Sequence, residues 1–459
     1  MWNRNEGEMN LDKFFNPKSV VVIGVSKNPN KIGHVIFRNL IDSDFNGKVF
    51  PVNINGGEIL GQKVFKKVSQ IKKNIDLAII ATPAETVMNV VNDCNKKKIK
   101  NMIIVTAGFS ETGNKKLENK LADFLNKNRI LMVGVNCLGI FDGYSNFDTL
   151  FLPRSRLKRP KAGGISFVCQ SGAVGSAILD LASEEGYGFA KFVSYGNATV
   201  LDESDIIEYF GKDKNTKVIC LYVEGVNNGR KFIETCRKVS MKKPIIAIKG
   251  GMTEKGNKAT LSHTGSLAGK AEIYLGVFKQ CDIIKADSLE DMFNFARILE
   301  KSIKPIGDKV QVITNGGGYG ILCTDAILNN KLRMAELSKE TIKELKKKFP
   351  PLVMADNPMD LIGDATTKRY GDAIYASLND KNVDIILIVL LLQTPLITTD
   401  IVDVIIEAND LKKKPIVVVS TGGEFTKVLR QTLETNNVPT FTYPESAVKS
   451  IRKLVEYYG

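Results

Sequence analysis

The sequence has few of the features that mark membrane, secreted or disulfide-bonded proteins. Its longest apolar run, Ile385 to Leu392, is far shorter than the ~20 residues that a membrane helix needs. The segment MWNRNEGEMNLDKFF at the N-terminus contains no uninterrupted apolar stretch, so no signal peptide is expected. Seven cysteines occur without a CxxC pair, which is typical of reduced core thiols. We therefore expect a cytoplasmic protein with no membrane partner and no metal site.

The charge of the chain is positive, with 64 Lys and Arg residues against 50 Asp and Glu residues. The lysines are spread along the whole chain and form no basic block with interleaved aromatic residues, so no nucleic-acid partner is expected. The excess of basic over acidic residues would still help to attract a polyanionic small molecule. At 459 residues the chain is long enough for two to four domains of about 100–200 residues each.

Short runs rich in Val and Ile alternate with amphipathic stretches of helical period, which predicts an α/β fold with parallel sheets covered by helices on both faces. A segment rich in turn-forming residues interrupts this alternation after Gly134, and a second one, KSIKPIGDK, interrupts it again. We predict three doubly wound domains, which comprise residues 1–134, 135–302 and 303–459. The predicted strands are Ser19–Gly24, Lys48–Val52, Ile75–Ile80, Asn101–Val105, Ile130–Val133, Gly164–Cys169, Lys217–Val223, Pro244–Lys249, Val310–Thr314, Val383–Leu390 and Pro415–Val419.

The first predicted strand ends in a tight turn that contains Gly24 and Ser26, and Gly33 lies at the start of the following helix. The free N–H groups of such a helix can face an anion. The G-x-G-x-x-G spacing is absent, and the second strand ends in Pro51-Val52-Asn53 with no acidic residue for a ribose, so a nicotinamide dinucleotide is not favoured. A simple sharp bend is about as probable as a ligand site on this turn alone. Later strands end in loops of small residues at the same sheet edge, at Ala81–Pro83 and Thr106–Phe109.

Two loops of the second predicted domain are suited to bind phosphate. The run QSGAVG passes from a strand to a helix, so the amides of Ser171 to Ala173 would lie at a helix N-terminus. The next strand ends in Ser194-Tyr195-Gly196-Asn197, which is a second loop of small residues at the same edge. Each loop alone could be no more than a well-capped helix start, but the pair favours an anion site.

A long irregular loop, KGGMTEKGNKATLSHTGSLAG, follows the strand Pro244–Lys249, and loops of this length inside a compact domain are usually functional. It contains His263, while the other histidine of the chain, His34, lies in a helical pattern and is interpreted as structural or simply solvated. Imidazole has an ordinary pKa of about 6.5 and is a competent nucleophile near neutral pH. Glu224 ends a strand at the same sheet edge and could orient the ring, although a solvated loop acid is an equal alternative from Glu224 alone.

These motifs together resemble, over essentially the whole chain, the α subunit of ADP-forming acetyl-CoA synthetases, relatives of succinyl-CoA synthetase in the superfamily of NDP-forming acyl-CoA synthetases. The most specific motif is SHTGSLAG at 262–269. The other similar motifs, in family order, are QSGAVG at 170–175, SYGNATVLDESDIIEYF at 194–210, VEG around Glu224, TNGGG at 314–318, NPMD at 357–360 and YPESAVKSIRKL at 443–454.

The resemblance implies a Rossmann-like domain that binds coenzyme A (CoA), followed by two flavodoxin-like domains of the succinyl-CoA-ligase type. It implies that acyl-CoA and phosphate give an acyl phosphate, that His263 takes the phosphoryl group while Glu224 steadies it, and that ADP receives it. The residues that it implies for phosphate binding are Ser171, Gly172, Ala173, Gly196 and Asn197. The residues that it implies for the CoA site are Gly24, Ser26, Lys31, Pro51, Asn53, Thr82, Pro83, Ala107, Phe109 and Asn136.

The family's ATP-grasp portion has no counterpart in this sequence, so a separate β subunit that binds Mg-ADP or Mg-ATP is expected as the partner, in an α2β2 assembly. The expected ligands are CoA, phosphate and a small carboxylic acid. A catalytically silent CoA-binding regulatory or scaffold protein is the alternative, which the intact SHTGS loop and Glu224 disfavour. An NAD-dependent dehydrogenase is disfavoured by the missing fingerprint.

Overall fold

The computed structural model describes residues 10–258 and 270–459, so His263 lies outside the described residues. The chain forms two compact units, Met1–Ala286 and Asp287–Gly459. No helix in the described part of the chain is both long and apolar enough to cross a membrane. All seven cysteines are free and buried, which confirms the prediction of reduced core thiols.

The first unit begins with a sheet of five parallel strands in the order β2-β1-β5-β6-β7. Its strands are β1 (Ser19–Ile23), β2 (Lys48–Val52), β5 (Leu77–Ile80), β6 (Asn101–Ile104) and β7 (Leu131–Gly134), and a small antiparallel pair is formed by β3 (Gly57–Ile59) and β4 (Gln62–Val64). The helices of this part are α1 (Asp12–Phe15), α2 (Ile32–Asp42), α3 (Ala84–Lys96) and α4 (Lys115–Lys127). The strand order reverses between β1 and β5, and ligands of open parallel sheets bind at such a switch point.

The same unit continues into a sheet of seven strands in the order β14-β13-β12-β10-β11-β8-β9. Its strands are β8 (Gly139–Asp142), β9 (Phe147–Asp148), β10 (Ala162–Cys169), β11 (Phe189–Ser194), β12 (Val218–Val223), β13 (Ile245–Lys249) and β14 (Ile284–Lys285). The helices are α5 (Gly172–Glu185), α6 (Glu203–Lys212), α7 (Gly229–Ser240) and α8 (Ala271–Gln280). Only β8 and β9 run antiparallel to their neighbours within the described part of this sheet. The carboxyl ends of β10, β11, β12 and β13 therefore lie along one edge.

The second unit contains a parallel sheet in which the main order is β16-β15-β18-β19-β20 and β17 also pairs with β15. Its strands are β15 (Lys309–Thr314), β16 (Arg333–Met334), β17 (Met359–Asp360), β18 (Ile385–Val389), β19 (Ile416–Val419) and β20 (Thr440–Phe441). Its helices are α9 (Leu289–Lys301), α10 (Gly317–Asn329), α11 (Lys339–Lys348), α12 (Thr367–Asn379), α13 (Ile401–Asp410), α14 (Glu424–Thr435) and α15 (Pro444–Tyr458).

The observed sheets confirm the predicted α/β class. The apolar run that was too short for a membrane helix is β18, in which all five residues are buried, as expected for a strand covered on both faces.

Helix α9 lies in the second unit, where Arg297 and Lys301 form ion pairs with the buried carboxylate of Glu434. The division into three domains at 134 and 302 stays a prediction.

Candidate functional site

The turn after β1 lies close to the loop after β5, at the switch point of the first sheet. Gly24 has φ +98°, and a Cβ atom at this position would lie 2.4 Å from the carbonyl oxygen of Ala81. Only glycine therefore permits this close approach of the two loops. The predicted tight turn at Gly24 and Ser26 is present.

Polar side chains fix the turn that contains Ser26. The amide of Asn53, which follows β2, donates to the carbonyl oxygen of Val25 at 2.7 Å. The ring nitrogen Nδ1 of His34 lies 2.7 Å from the carbonyl oxygen of Ser26, and the His34 side chain is buried. His34 thus has the structural position that the sequence predicted. Lys31 is exposed and is the N-cap residue of α2.

The loops after β5 and β6 complete this edge. The hydroxyl of Thr106 donates to the carbonyl oxygen of Thr82 at 2.8 Å. The hydroxyl oxygen of Thr82 is itself buried and has no hydrogen-bond partner among residues 10–258 and 270–459. A buried polar atom of this kind needs a partner, and a polar ligand could supply it. Pro83 and Ala107 are exposed beside it.

Eight of the ten residues proposed for CoA lie in turns or loops at the carboxyl edge of the first sheet. They are Gly24, Ser26, Lys31, Asn53, Thr82, Pro83, Ala107 and Asn136. The other two have side chains inside the domain. Phe109 is fully buried in the apolar core, and Pro51 is buried within β2, where its carbonyl oxygen accepts from the N–H of Phe65. Their roles as CoA contacts stay predictions.

At the edge of the second sheet, helix α5 begins directly after β10. The hydroxyl oxygen of Ser171 caps this helix by accepting from the N–H of Val174 at 3.3 Å. The N–H groups of Gly172 and Ala173, in the first turn, have no place in the intrahelical ladder. They could therefore bind an anion, and the phosphate cradle at this helix start stays a prediction.

The loop after β11 connects the two sheets. Gly196 has φ +57°, and a Cβ atom there would lie 2.1 Å from the carbonyl oxygen of Val135, which follows β7. The neighbouring Asn197 donates its side-chain amide to Glu111 at 2.7 Å and to Glu118 at 3.0 Å. Its side-chain oxygen lies 3.3 Å from the amide nitrogen of Asn136. The structure thus gives the Asn197 side chain a tethering position, and its proposed phosphate contact stays a prediction.

Glu111 accepts from Asn197 as a charged carboxylate, and we call the bonds from Asn197 to Glu111 and Glu118 the tether between the two loops. Burial alone would raise the pKa of the Glu111 carboxyl, but hydrogen bonds from Asn197 and from the amides of Gly108 and Phe109 lower the pKa below its ordinary value. The loop after β6 is therefore held by an ionised carboxylate that accepts from both sides.

Glu224 follows β12 at the centre of the edge, and only 7% of the residue is exposed. Its N–H donates to the side-chain oxygen of Gln170 at 2.7 Å, and the same oxygen accepts from the N–H of Gly225 at 3.1 Å and the hydroxyl of Tyr195 at 3.3 Å. Gln170 directly precedes the cap residue of α5. It therefore fixes the position of Glu224 relative to the proposed phosphate cradle, a role that sequence reasoning missed because an uncharged amide carries no catalytic signal.

Tyr222 and Gly250 surround the carboxylate of Glu224. The hydroxyl of Tyr222 donates to this carboxylate, and burial together with the nearby negative charge raises the pKa of Tyr222 to about 12. A Cβ atom at Gly250 would lie 3.4 Å from Cγ of Glu224. The N–H of Gly250 donates to the carbonyl oxygen of Val223 at 2.9 Å. The chain that leads from β13 towards His263 thus starts beside Glu224.

Three family models match consecutive parts of the chain. They are a CoA binding domain at residues 18–142, a succinyl-CoA ligase like flavodoxin domain at 162–299 and a ligase-CoA domain at 310–454. These matches fit the fold described above, in which a Rossmann-like sheet is followed by two flavodoxin-like sheets.

Relatives and solved structures align over almost the whole chain. The α subunit of the ADP-forming acetate–CoA ligase II of Pyrococcus furiosus is 37% identical, with 97% of each chain covered. The ADP-forming acetate–CoA ligase of Methanocaldococcus jannaschii is 39% identical over 100% of this chain, which spans 64% of that longer protein. The acetyl-coenzyme A synthetase 1 of Candidatus Korarchaeum cryptofilum, solved in complex with phosphate and ADP, matches with a TM-score of 0.90 and 35% identity, covering 98% of this chain and 97% of that one.

Proposed function

Because this chain belongs to the family of ADP-forming acetate–CoA ligases, we propose that it is the CoA-binding, phosphohistidine-carrying subunit of such an enzyme. The observation that carries the proposal is the arrangement at the edge of the second sheet. Glu224 is fixed by Gln170 beside the start of α5, and the chain that continues to His263 begins next to Glu224. A nucleophile, an orienting carboxylate and an anion cradle would thus share one edge.

The proposed reaction has three balanced steps. A phosphate oxygen attacks the thioester carbonyl of acyl-CoA, and the CoA thiolate leaves, which gives an acyl phosphate. A ring nitrogen of His263 then attacks phosphorus and the carboxylate leaves. ADP finally takes the phosphoryl group, which gives ATP and the free imidazole. The amides of Gly172 and Ala173 would bind the phosphate oxygens, and Glu224 would stabilise the imidazolium as it forms.

CoA is proposed to bind at the switch point of the first sheet. Lys31 would supply an exposed cation for a phosphate group, while the glycine turn at Gly24 would allow close approach of the ligand. The unpartnered hydroxyl of Thr82 supplies a polar contact inside the crevice. The N–H of Asn197 donates to the carbonyl oxygen of Val135 after β7, and both proposed sites would lie in the same unit.

The nucleotide site is proposed to lie on a separate ATP-grasp β subunit, in an α2β2 assembly. The α subunit from P. furiosus has the same extent as this chain, whereas the M. jannaschii protein is a longer single polypeptide. The acyl group is proposed to be that of a small carboxylic acid, with acetate favoured. More distant relatives include a 4-hydroxybutyrate–CoA ligase at 33% identity and a trans-feruloyl-CoA synthase at 26%.

Phosphoryl labelling tests this function directly. The purified chain, incubated with acetyl phosphate labelled in its phosphoryl group, should acquire a label that is lost in mild acid and survives alkali, as a nitrogen–phosphorus bond does. His263→Ala should abolish the label. His34→Gln, at the other histidine of the chain, should retain it, because this half-reaction needs no CoA. A label that persists in His263→Ala would refute the phosphohistidine assignment.

A further inference from the structure

Lys249 is a buried lysine at the site edge that the proposed mechanism does not yet use. It is the last residue of β13 and pairs with Val223, the residue before Glu224. Only 6% of Lys249 is exposed. Lysine is almost never buried to this degree without a partner, because removing an ammonium group from water is costly.

The surroundings of the Lys249 ammonium group contain a carbonyl and an aromatic ring. Its nitrogen donates to the carbonyl oxygen of Gly250 and lies 4.8 Å from the centre of the Tyr274 ring, which is a cation–π geometry. The Tyr274 hydroxyl accepts from the N–H of Val226 at 3.1 Å, so this ring is attached to the chain just after Glu224.

Glu224 is the carboxylate whose charge acts on Lys249. Burial lowers the pKa of Lys249, and the attraction of Glu224 opposes that shift. A Cβ atom on Gly250, whose carbonyl oxygen accepts from Lys249, would lie 3.4 Å from Cγ of Glu224. The Lys249 ammonium group and the Glu224 carboxylate therefore belong to buried residues at the ends of neighbouring strands, close enough for their charges to interact.

In the proposed reaction, a phosphoryl group comes close to Glu224, and a nearby cation is then needed more than in the resting protein. When a phosphoryl group reaches the edge, its negative charge adds to that of Glu224 in a poorly solvated place, where like charges repel strongly. We propose that Lys249 is a positioning residue that acts as the counter-cation of Glu224 and keeps this carboxylate in place while the phosphoryl group is transferred. The inference rests on the proposed function, because it assigns Lys249 to the same site.

A double-mutant cycle tests the inference, with Lys249→Met, Glu224→Gln and the combined variant. The first readout is the rate of labelling from acetyl phosphate. Lys249→Met should lower this rate by about tenfold or more in the native background, but by less than about threefold in the Glu224→Gln background, since charged neighbours are expected to be coupled. Lys249→Arg should restore most of the rate. Lys242→Met, at an exposed lysine just before β13, is the matched control and should leave the rate unchanged.

The second readout is the unfolding temperature of the same four proteins, which needs no phosphoryl transfer. Lys249→Met should lower it more in the native background than in the Glu224→Gln background. If the Met variant does not fold, Lys249→Gln takes its place in the cycle. Equal losses in both backgrounds, in rate or in unfolding temperature, would overturn the inference. A native chain that acquires no label would instead refute the proposed function, while the unfolding temperatures would still decide whether Lys249 and Glu224 are paired.

Discussion

At the scale of single residues, Gln170 is the position where a small change should have a specific effect. Gln170→Met keeps the shape of the side chain but removes the oxygen that accepts from the N–H groups of Glu224 and Gly225. Leaving buried N–H groups unpaired costs about 1–3 kcal/mol, so Glu224 should shift and the labelling rate should fall by about tenfold. Gln70→Met removes a similar bond to the N–H of Lys66 at an exposed place and should not alter labelling. Equal rates in both variants would contradict the positioning role of Gln170.

Glu203, also at the residue scale, should make stability depend on pH. Burial raises the pKa of Glu203 to about 8, and the charge of Asp202 adds to the shift. The folded protein thus holds a proton that the unfolded chain releases near pH 4.5, so its stabilising contribution is complete below that pH and is lost as the pH rises through about 8. Between pH 6 and pH 9, the unfolding temperature of the native protein should fall relative to that of the Glu203→Gln variant. Parallel curves for the two proteins would show that Glu203 is not protonated in the fold.

At the scale of elements, the loop after β11 should depend on its tether to the loop after β6. Asn197→Asp would place a carboxylate against the carboxylates of Glu111 and Glu118. Asn197→Ala would only remove the amide that donates hydrogen bonds to them. The Ala variant should cost about 1–3 kcal/mol of unfolding free energy. The Asp variant should cost more at pH 7 and recover partly in acid, where the repelling carboxylates take up protons. An Asp variant at least as stable as the Ala variant would contradict the tether, and thermal unfolding at the two pH values measures the difference.

At the scale of the whole molecule, the purified chain alone should neither form nor consume ATP. The described sheets supply the sites proposed for CoA and phosphate, while the nucleotide is proposed to bind on an ATP-grasp chain. Mixing the two chains should therefore create turnover of acyl-CoA, ADP and phosphate, which ATP formation measures. Turnover by the isolated chain at the rate of the mixture would refute the two-subunit proposal.

The fold class and the family followed from local patterns in the sequence. Val- and Ile-rich runs such as β18 are short, apolar and separated by amphipathic stretches, and this alternation alone requires parallel sheets covered by helices. The N-terminus of α5 was equally local, because the cap Ser171 and the glycine after it are adjacent in sequence. The series of motifs from QSGAVG to YPESAVKSIRKL then indicated the family.

The surroundings of Glu224 were decided only by the tertiary structure. Gln170 lies 54 residues before Glu224 in sequence, and Gln170 and Lys249 both lie near Glu224 because β12, which precedes Glu224, lies between β10 and β13. Likewise, only the packing of its loop shows that Phe109, for which the resemblance implies a place in the CoA site, has its side chain in the apolar core. Strand order and loop packing depend on how separate segments cover one another's apolar faces, which no single segment encodes. The sequence therefore determined which residues could do the chemistry, and the assembled sheets decided which neighbours hold them in place.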